Sequence, residues 1–181
     1  MRITKFVAMI LLLIMSLGLF TGCFNNKYNA VLYDDQFGSV KEWINEDFLV
    51  ENRVNGYYRD KNDELIHITD KKGPIVHILT EEEMYNEVFT DCPLEIDFDK
   101  QMVILYIFSD NDQRNFRLKS TSVNDNVLQI EIERYRSEKN DSVWTYQRCF
   151  MIVMDKLEVT DIQIKIELSK LYFQEVKDEF S

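Results

Sequence analysis

An α+β fold is what this sequence predicts, with an antiparallel β-sheet of about five to seven strands and one or two helices packed on it. Three observations carry the prediction. "VLQIEIERY" and "DIQIKIEL" alternate apolar and polar residues, "QFGSVKEWINEDFLVEN" repeats its apolar residues at helical spacing, and "QMVILYIF" is apolar on both faces. Period two sets Leu128, Ile130 and Ile132 against Gln129, Glu131 and Glu133, and gives Ile162, Ile164, Ile166 and Leu168 a common face. A sheet with one dry face and one wet face is typically antiparallel.

In chain order, Val40, Trp43, Ile44 and Phe48 share one face of a helix that Ser39 can cap. "VNGYY" has the composition of a turn. "ELIHIT" and "PIVHILT" are β-rich runs flanking "DKKGP", the pattern of a hairpin. Thr80 followed by Glu83 forms a capping box for the helix "EEEMYNEVF". "QMVILYIF" is then a central strand, "SDNDQRN" a solvated turn, "NFRLKST" and "VLQIEIERY" alternating strands, and "SVWTYQRCFMIVM" a long apolar strand before "DIQIKIEL". The tail "SKLYFQEVKDEF" ends the chain as a last helix or an extension.

The amino terminus has a different character. Arg2 and Lys5 precede residues 6–20, where only Ser16 and Gly18 are not strongly apolar. A spanning helix needs about 20 predominantly apolar residues. The shorter run, its preceding cations and the small residues after it fit a cleaved export signal better. Leu19-Phe20-Thr21-Gly22-Cys23 resembles a bacterial lipobox, with Phe20 where leucine is preferred. That resemblance implies a lipoprotein signal peptide over 1–22 and acylation of Cys23; a short tether over 23–29 then leads to residues 30–181, whose length suits a single α+β domain. It also implies a lipid-anchored place on the extracytoplasmic face of the cell membrane, held by two or three acyl chains, since one chain binds only marginally.

Without residues 1–22 the chain keeps 32 Asp+Glu, while its 21 Lys+Arg lose Arg2 and Lys5. So acidic a balance argues against nucleic acid, which needs a basic footprint, and against polybasic docking on anionic lipid. Hydrophobic residues at 45% and aromatics at 13% exclude general disorder, and two prolines with five glycines leave no long flexible linker.

The sequence offers little chemistry. With Cys23 acylated, Cys92 and Cys149 are left to pair or to remain thiols, and sequence alone does not decide between them. His67 and His77 lie in strands that would face each other across "DKKGP", but two histidines fall short of a zinc ligand set. Asp110 and Asp112 lack the glycine and distal acid of a calcium loop. No Gly-x-Ser-x-Gly, phosphate loop or activated nucleophile is present. The expectation is therefore a protein that is not an enzyme, without metal or cofactor. The aromatic residues Tyr57, Tyr58, Trp144 and Tyr146 are the candidate recognition surface, set against the ordinary fate of such residues in a core.

"IDFDKQMVILYIFSD", the alternating strands, and "TYQRCFMIVMDKLEVTDIQIKIEL" resemble the protease-complex-stabilising (PrcB-type) carboxy-terminal domain of envelope lipoproteins over residues 95–168. The chain has "QRNF" where that family often has a Gly-Gly-Tyr turn, and Thr145 where it often has proline. The resemblance implies a non-catalytic accessory domain that binds or stabilises an envelope protein partner. A carbohydrate- or peptide-binding lipoprotein is the alternative. A partner-binding domain predicts a flat apolar patch, whereas a ligand-binding one predicts a concave aromatic-lined pocket.

Overall fold

The computed structural model describes residues 25–34, 40–59, 62, 64–71, 73–112, 115–135 and 141–168. Cys23, Ser39 and the tail after residue 168 lie outside them, as does the export signal. The elements run β1 (Asn25–Asn26), β2 (Val31–Tyr33), α1 (Val40–Trp43), α2 (Glu46–Glu51), β3 (Gly56–Arg59), β4 (Leu65–Ile68) and β5 (Ile75–Leu79). They continue with α3 (Glu82–Val88), β6 (Gln101–Asp112), β7 (Asn115–Asn124), β8 (Val127–Tyr135), β9 (Asp141–Asp155) and β10 (Asp161–Leu168). Strand content dominates, and the three described helices are short. None is long and apolar enough to cross a membrane.

Two sheets form in place of the single one expected. The larger has the order β4-β3-β9-β6-β5, with β2 also on β9, and the smaller has the order β1-β7-β8-β10. At the centre, β6 and β9 pair antiparallel, with Ile104 opposite Ile152 and Tyr106 opposite Phe150. Their side chains alternate between two cores. Val103, Leu105, Ile107, Cys149 and Met151 pack on the helix side with Val40, Ile44, Leu49 and Val88. Met102, Ile104, Phe150, Ile152 and Met154 pack on the other side with Leu128, Ile130 and Ile132 of the small sheet. The molecule is thus layered as helices, large sheet and small sheet. A strand flanked on both sides must be apolar at every position, which is why "QMVILYIF" is.

The small sheet is an outer layer, so its strands keep the dry-and-wet alternation. Leu128, Ile130 and Ile132 are buried, while Lys119 on the wet face reaches Glu167 at 3.1 Å and Glu131 at 3.3 Å. Hydrogen bonds from Lys165 and then Lys119 pull the Glu167 carboxyl down to about 2. The strand direction departs from expectation, because β10 pairs parallel to β8 from Asp161 opposite Val127 to Leu168 opposite Arg134. Alternation reports one-sided burial and is blind to direction. Asp125 (φ 50°) and Asn126 (φ 61°) join β7 to β8. A two-residue loop with both φ positive matches the twist of the strands it links.

Local patterns gave way to longer-range pairing at five places. The expected first helix is broken at Ile44, which bridges to Phe89. Asn45 there donates its amide to the Val88 carbonyl at 2.7 Å, and its Oδ1 caps α2 by accepting the Asp47 amide at 2.9 Å. The Thr80 capping box does not form: Glu81 precedes α3 without a side-chain cap, and the Thr80 carbonyl accepts from Lys156 Nζ. "VNGYY" is not a turn but the entry to β3. β3 is the strand that pairs with β4, whereas β5 pairs with β6 at the other side of the sheet, so the "DKKGP" hairpin is absent. Finally, residues 25–29 of the expected tether belong to the fold. Asn25 and Asn26 pair with Ser120 and Thr121, and Asn29 Nδ2 donates to the Asp155 carboxylate at 2.9 Å.

Because Ile152 is completely buried between two layers, Ile152→Ala is expected to lower the unfolding free energy by about 2–5 kcal/mol. Ile164→Ala, at a half-buried position of β10, should cost clearly less. Urea denaturation of both variants measures the difference, and equal losses would contradict the three-layer account.

Candidate functional site

The central pairing leaves an opening at one end of the large sheet. β5 begins at Ile75, opposite Ile107 of β6. Pro74, just before it, has no amide to extend the ladder. Beyond Ile107, that edge of β6 has no strand partner among the described residues. The chain from β4 to β5 must cross here to pass between the two sides of the sheet, and Ile68, Thr69, Gly73 and Pro74 wall an open cleft of about 770 Å³. Its floor includes Tyr106 and Phe108 of β6, with Ile166 of β10 on the small sheet.

One wall is the segment from Val54 to Gly56, fastened to the ends of β6 and β9. The Val54 amide donates to Gln147 Oε1 at 3.3 Å, and Ser109 Oγ donates to the Asn55 carbonyl. Asn55 Oδ1 in turn accepts the Lys71 amide at 2.9 Å, which ties the crossing chain to this wall. Gly56 has φ +134°, and a Cβ there would lie 2.9 Å from the Thr145 carbonyl oxygen and 3.2 Å from Ser109 Oγ. Gly56 therefore lets the wall lie against the sheet in a backbone conformation that L side chains rarely adopt.

Deeper in the cleft, Asp110 of β6 meets Arg134 of β8, with Oδ2 to Nη2 at 2.8 Å and an Asp110 side chain only 5% exposed. This pair ties the two sheets together at the end where apolar packing gives out. It also corrects the sequence expectation for "SDNDQRN". Asp110 lies on a strand whose even-numbered side chains face the small sheet, so it is buried and paired instead of solvated in a turn. The Tyr106 hydroxyl is pushed above the usual tyrosine range, first by burial and then by the Asp110 charge. It stays protonated at neutral pH.

On the rim, His67 stacks on Tyr57 with centroids 4.1 Å apart and planes 9° apart, and Tyr57 lies 6.4 Å from Tyr146. The register causes this, since Tyr57 is opposite His67 in one pairing and opposite Tyr146 in the other. Of the predicted recognition residues, Tyr57 and Tyr146 are thus brought together. Tyr58 points the other way and is buried, with the Arg53 guanidinium 3.8 Å from its ring centroid. Trp144 lies on β9, and its side chain is outside the described residues. Asn55, Ser109 and Arg134 carry no signal in the sequence, and His67 and Asp110 stand out there only as metal ligands, a role their spacing argues against. Gly56 in "VNGYY" was the one available signal, because an isolated glycine next to a strand marks close backbone approach.

The other sequence candidates do not converge here. His77 sits on β5, away from His67, with Nε2 3.0 Å from Asn52 Oδ1 and its ring edge-on to Phe48. Among the described residues, no group of three His, Cys, Asp or Glu is placed to hold a metal ion. Cys92 and Cys149 are not joined in a disulfide, so the pairing left open by the sequence is not made. Cys149 is fully buried in the helix-side core, where it packs as a small apolar residue. The chain matches no protein-family model, no curated protein and no solved structure.

Two measurements test this arrangement. Gly56→Ala is expected to destabilise the protein by about 1–3 kcal/mol, read by chemical denaturation, since the substitution combines steric overlap with backbone strain. His77 provides the second. Burial lowers its pKa, so the unfolded chain binds the proton more readily than the folded one. Its contribution to stability is complete above the ordinary histidine value of about 6.5 and is lost as pH falls below that toward the folded pKa. His77→Gln should flatten this part of the stability profile between about pH 7 and 5; an unchanged slope would exclude His77 as its source.

Proposed function

We propose that this chain is a non-catalytic binding domain, lipid-anchored through Cys23 on the extracytoplasmic face of a membrane, which receives a ligand in the cleft beside β6. The single observation that carries this reading is the concavity itself. Its volume falls within the roughly 300–1,000 Å³ of ordinary ligand sites, and it combines an apolar floor with a few fixed polar groups. His67, stacked on Tyr57, adds a flat ring to the lining. Among the described residues, the large exposed hydrophobics Val31, Val50, Leu65 and Met84 lie on four different elements, which favours a ligand in a pocket over a protein on a flat patch.

A second reading draws on the PrcB-type resemblance over residues 95–168, the span of β6 through β10. In it the domain stabilises an envelope protein partner. The outer strand β4, which pairs only with β3 among the described residues and leaves Leu65 exposed, favours a partner that adds a strand there.

Gly73 separates the two readings. It lines the cleft, and a Cβ built on it meets nothing within 4 Å. Gly73→Trp should narrow the cleft and leave the melting temperature unchanged. Native mass spectrometry of both full-length proteins, extracted from membranes in mild detergent, is expected to find a small ligand on the wild type and none on Gly73→Trp. A protein partner retained equally by both would overturn the cleft in favour of the second reading. The anchor has its own test. An alkyne-tagged fatty acid fed to expressing cells should label the wild type and leave Cys23→Ser unlabelled, and an unlabelled wild type removes the anchor from the proposal.

A further inference from the structure

We infer that the cleft is a site for a neutral saccharide, with hydroxyl groups toward the Asp110–Arg134 pair and a sugar face on the His67 ring, which Tyr57 backs from its other side. This rests on the cleft being the binding site and deepens that reading by naming its ligand class.

Charge complementarity selects neutrality. Asp110 and Arg134 are the one carboxylate and the one guanidinium among the lining residues, and they are spent on each other at 2.8 Å. An anionic ligand would compete with Asp110 for the guanidinium, and a cationic one would compete with Arg134 for the carboxylate. Either exchange leaves a buried charge uncompensated. The chain as a whole carries a formal charge of −11, so it also repels anions at longer range. A hydroxyl can donate to a carboxylate and accept from a guanidinium at the same time. It can therefore join the pair without breaking it, as the donor and acceptor inventory of these groups allows.

Shape selects a ring. Tyr57 covers one face of the His67 ring, with planes 9° from parallel, and His67 is exposed and lines the cleft, so the other face of the imidazole is the flat surface left for a ligand. A pyranose presents a C–H face to such a surface and hydroxyls around its edge. The remaining polar groups of the lining, Asn55, Thr69, Ser109 and Thr145, are uncharged and suit hydroxyl partners. The protonated hydroxyl of Tyr106 on the floor adds one more neutral polar group.

The test is isothermal titration of the full-length chain in a zwitterionic detergent, which carries no sugar headgroup. The probes are cellotetraose, maltotetraose and tetra-N-acetylchitotetraose as neutral saccharides, with tetragalacturonate and an alternating Val-Thr octapeptide as the charged and extended competitors. At least one neutral saccharide is expected to bind. His67→Ala, at an exposed position, should weaken it roughly three- to tenfold, as loss of one stacking surface implies, and Gly73→Trp should abolish it. Neutral saccharide binding that neither variant changes would overturn the site. Tetragalacturonate or the peptide binding in place of all three neutral saccharides, with sensitivity to Gly73→Trp, would overturn the ligand class and leave the cleft standing. If no probe binds, the saccharide assignment is overturned. The cleft itself then stands or falls on the ligand recovered from membranes, which the wild type should carry and Gly73→Trp should lack.

Discussion

β6 and β9 run side by side through the middle of the molecule with no face left for water, and every other element is placed by that constraint. From Met102 to Ile107, and from Cys149 to Ile152, every side chain is at most 7% exposed. Alternate residues therefore need two separate apolar partners, one on each side of the sheet. The helices and the chain between β5 and β6 supply one. The small sheet supplies the other. Each buried aliphatic or aromatic side chain contributes about 1.5–3 kcal/mol, far more than an ion pair on the wet face such as Lys119–Glu167, which solvent screens. The three layers are thus held by the central strands, with the charged ladder on the wet face a minor contributor.

The same constraint produces the cleft. Apolar burial on both sides does not continue to the end of β6 and the paired part of β9: Ser109 and Thr145 are not buried, and the buried side chains beside them are the polar Asp110 and Gln147. Where it stops, the sequence turns from apolar residues to Ser109, Asp110, Thr145 and Gln147. These side chains lie at the edge of the core and need hydrogen-bond partners. Ser109 and Gln147 find them in the backbone of residues 54–55, and Asp110 finds Arg134 across the sandwich. The polar groups of the candidate site are therefore structural ones in the first instance. What makes a site of them is that β5 begins only at Ile75, which leaves a gap beside β6.

Much of the layer structure was legible in the sequence because burial writes itself into periodicity. "VLQIEIERY" announced a strand with one dry face and "QMVILYIF" one apolar on both faces, and both descriptions match the structure. Elements of marginal length were harder. α1, α2 and β3 have four to six residues each, too few for a period to establish itself, and each owes its conformation to a distant partner: Ile44 to Phe89, and Tyr57 to both His67 and Tyr146. The aromatic part of the site was half legible. Tyr57 and Tyr146 stood out by type, but nothing in their spacing distinguished them from Tyr58, which faces the core.

Local composition by itself determined which strands would be covered on one face and which on two, because that depends on the order of apolar and polar side chains along a strand. It also determined the turn at Asp125 and Asn126, where the conformational preference belongs to the residues concerned. Only the tertiary structure decided that the sheets are two, that β10 runs parallel to β8, and that β4 and β5 part company across "DKKGP". It likewise decided that Asp110 meets Arg134. Each of these is a choice among partners far apart in sequence, made by the total surface buried and the polar groups satisfied. No short stretch of residues carries that sum.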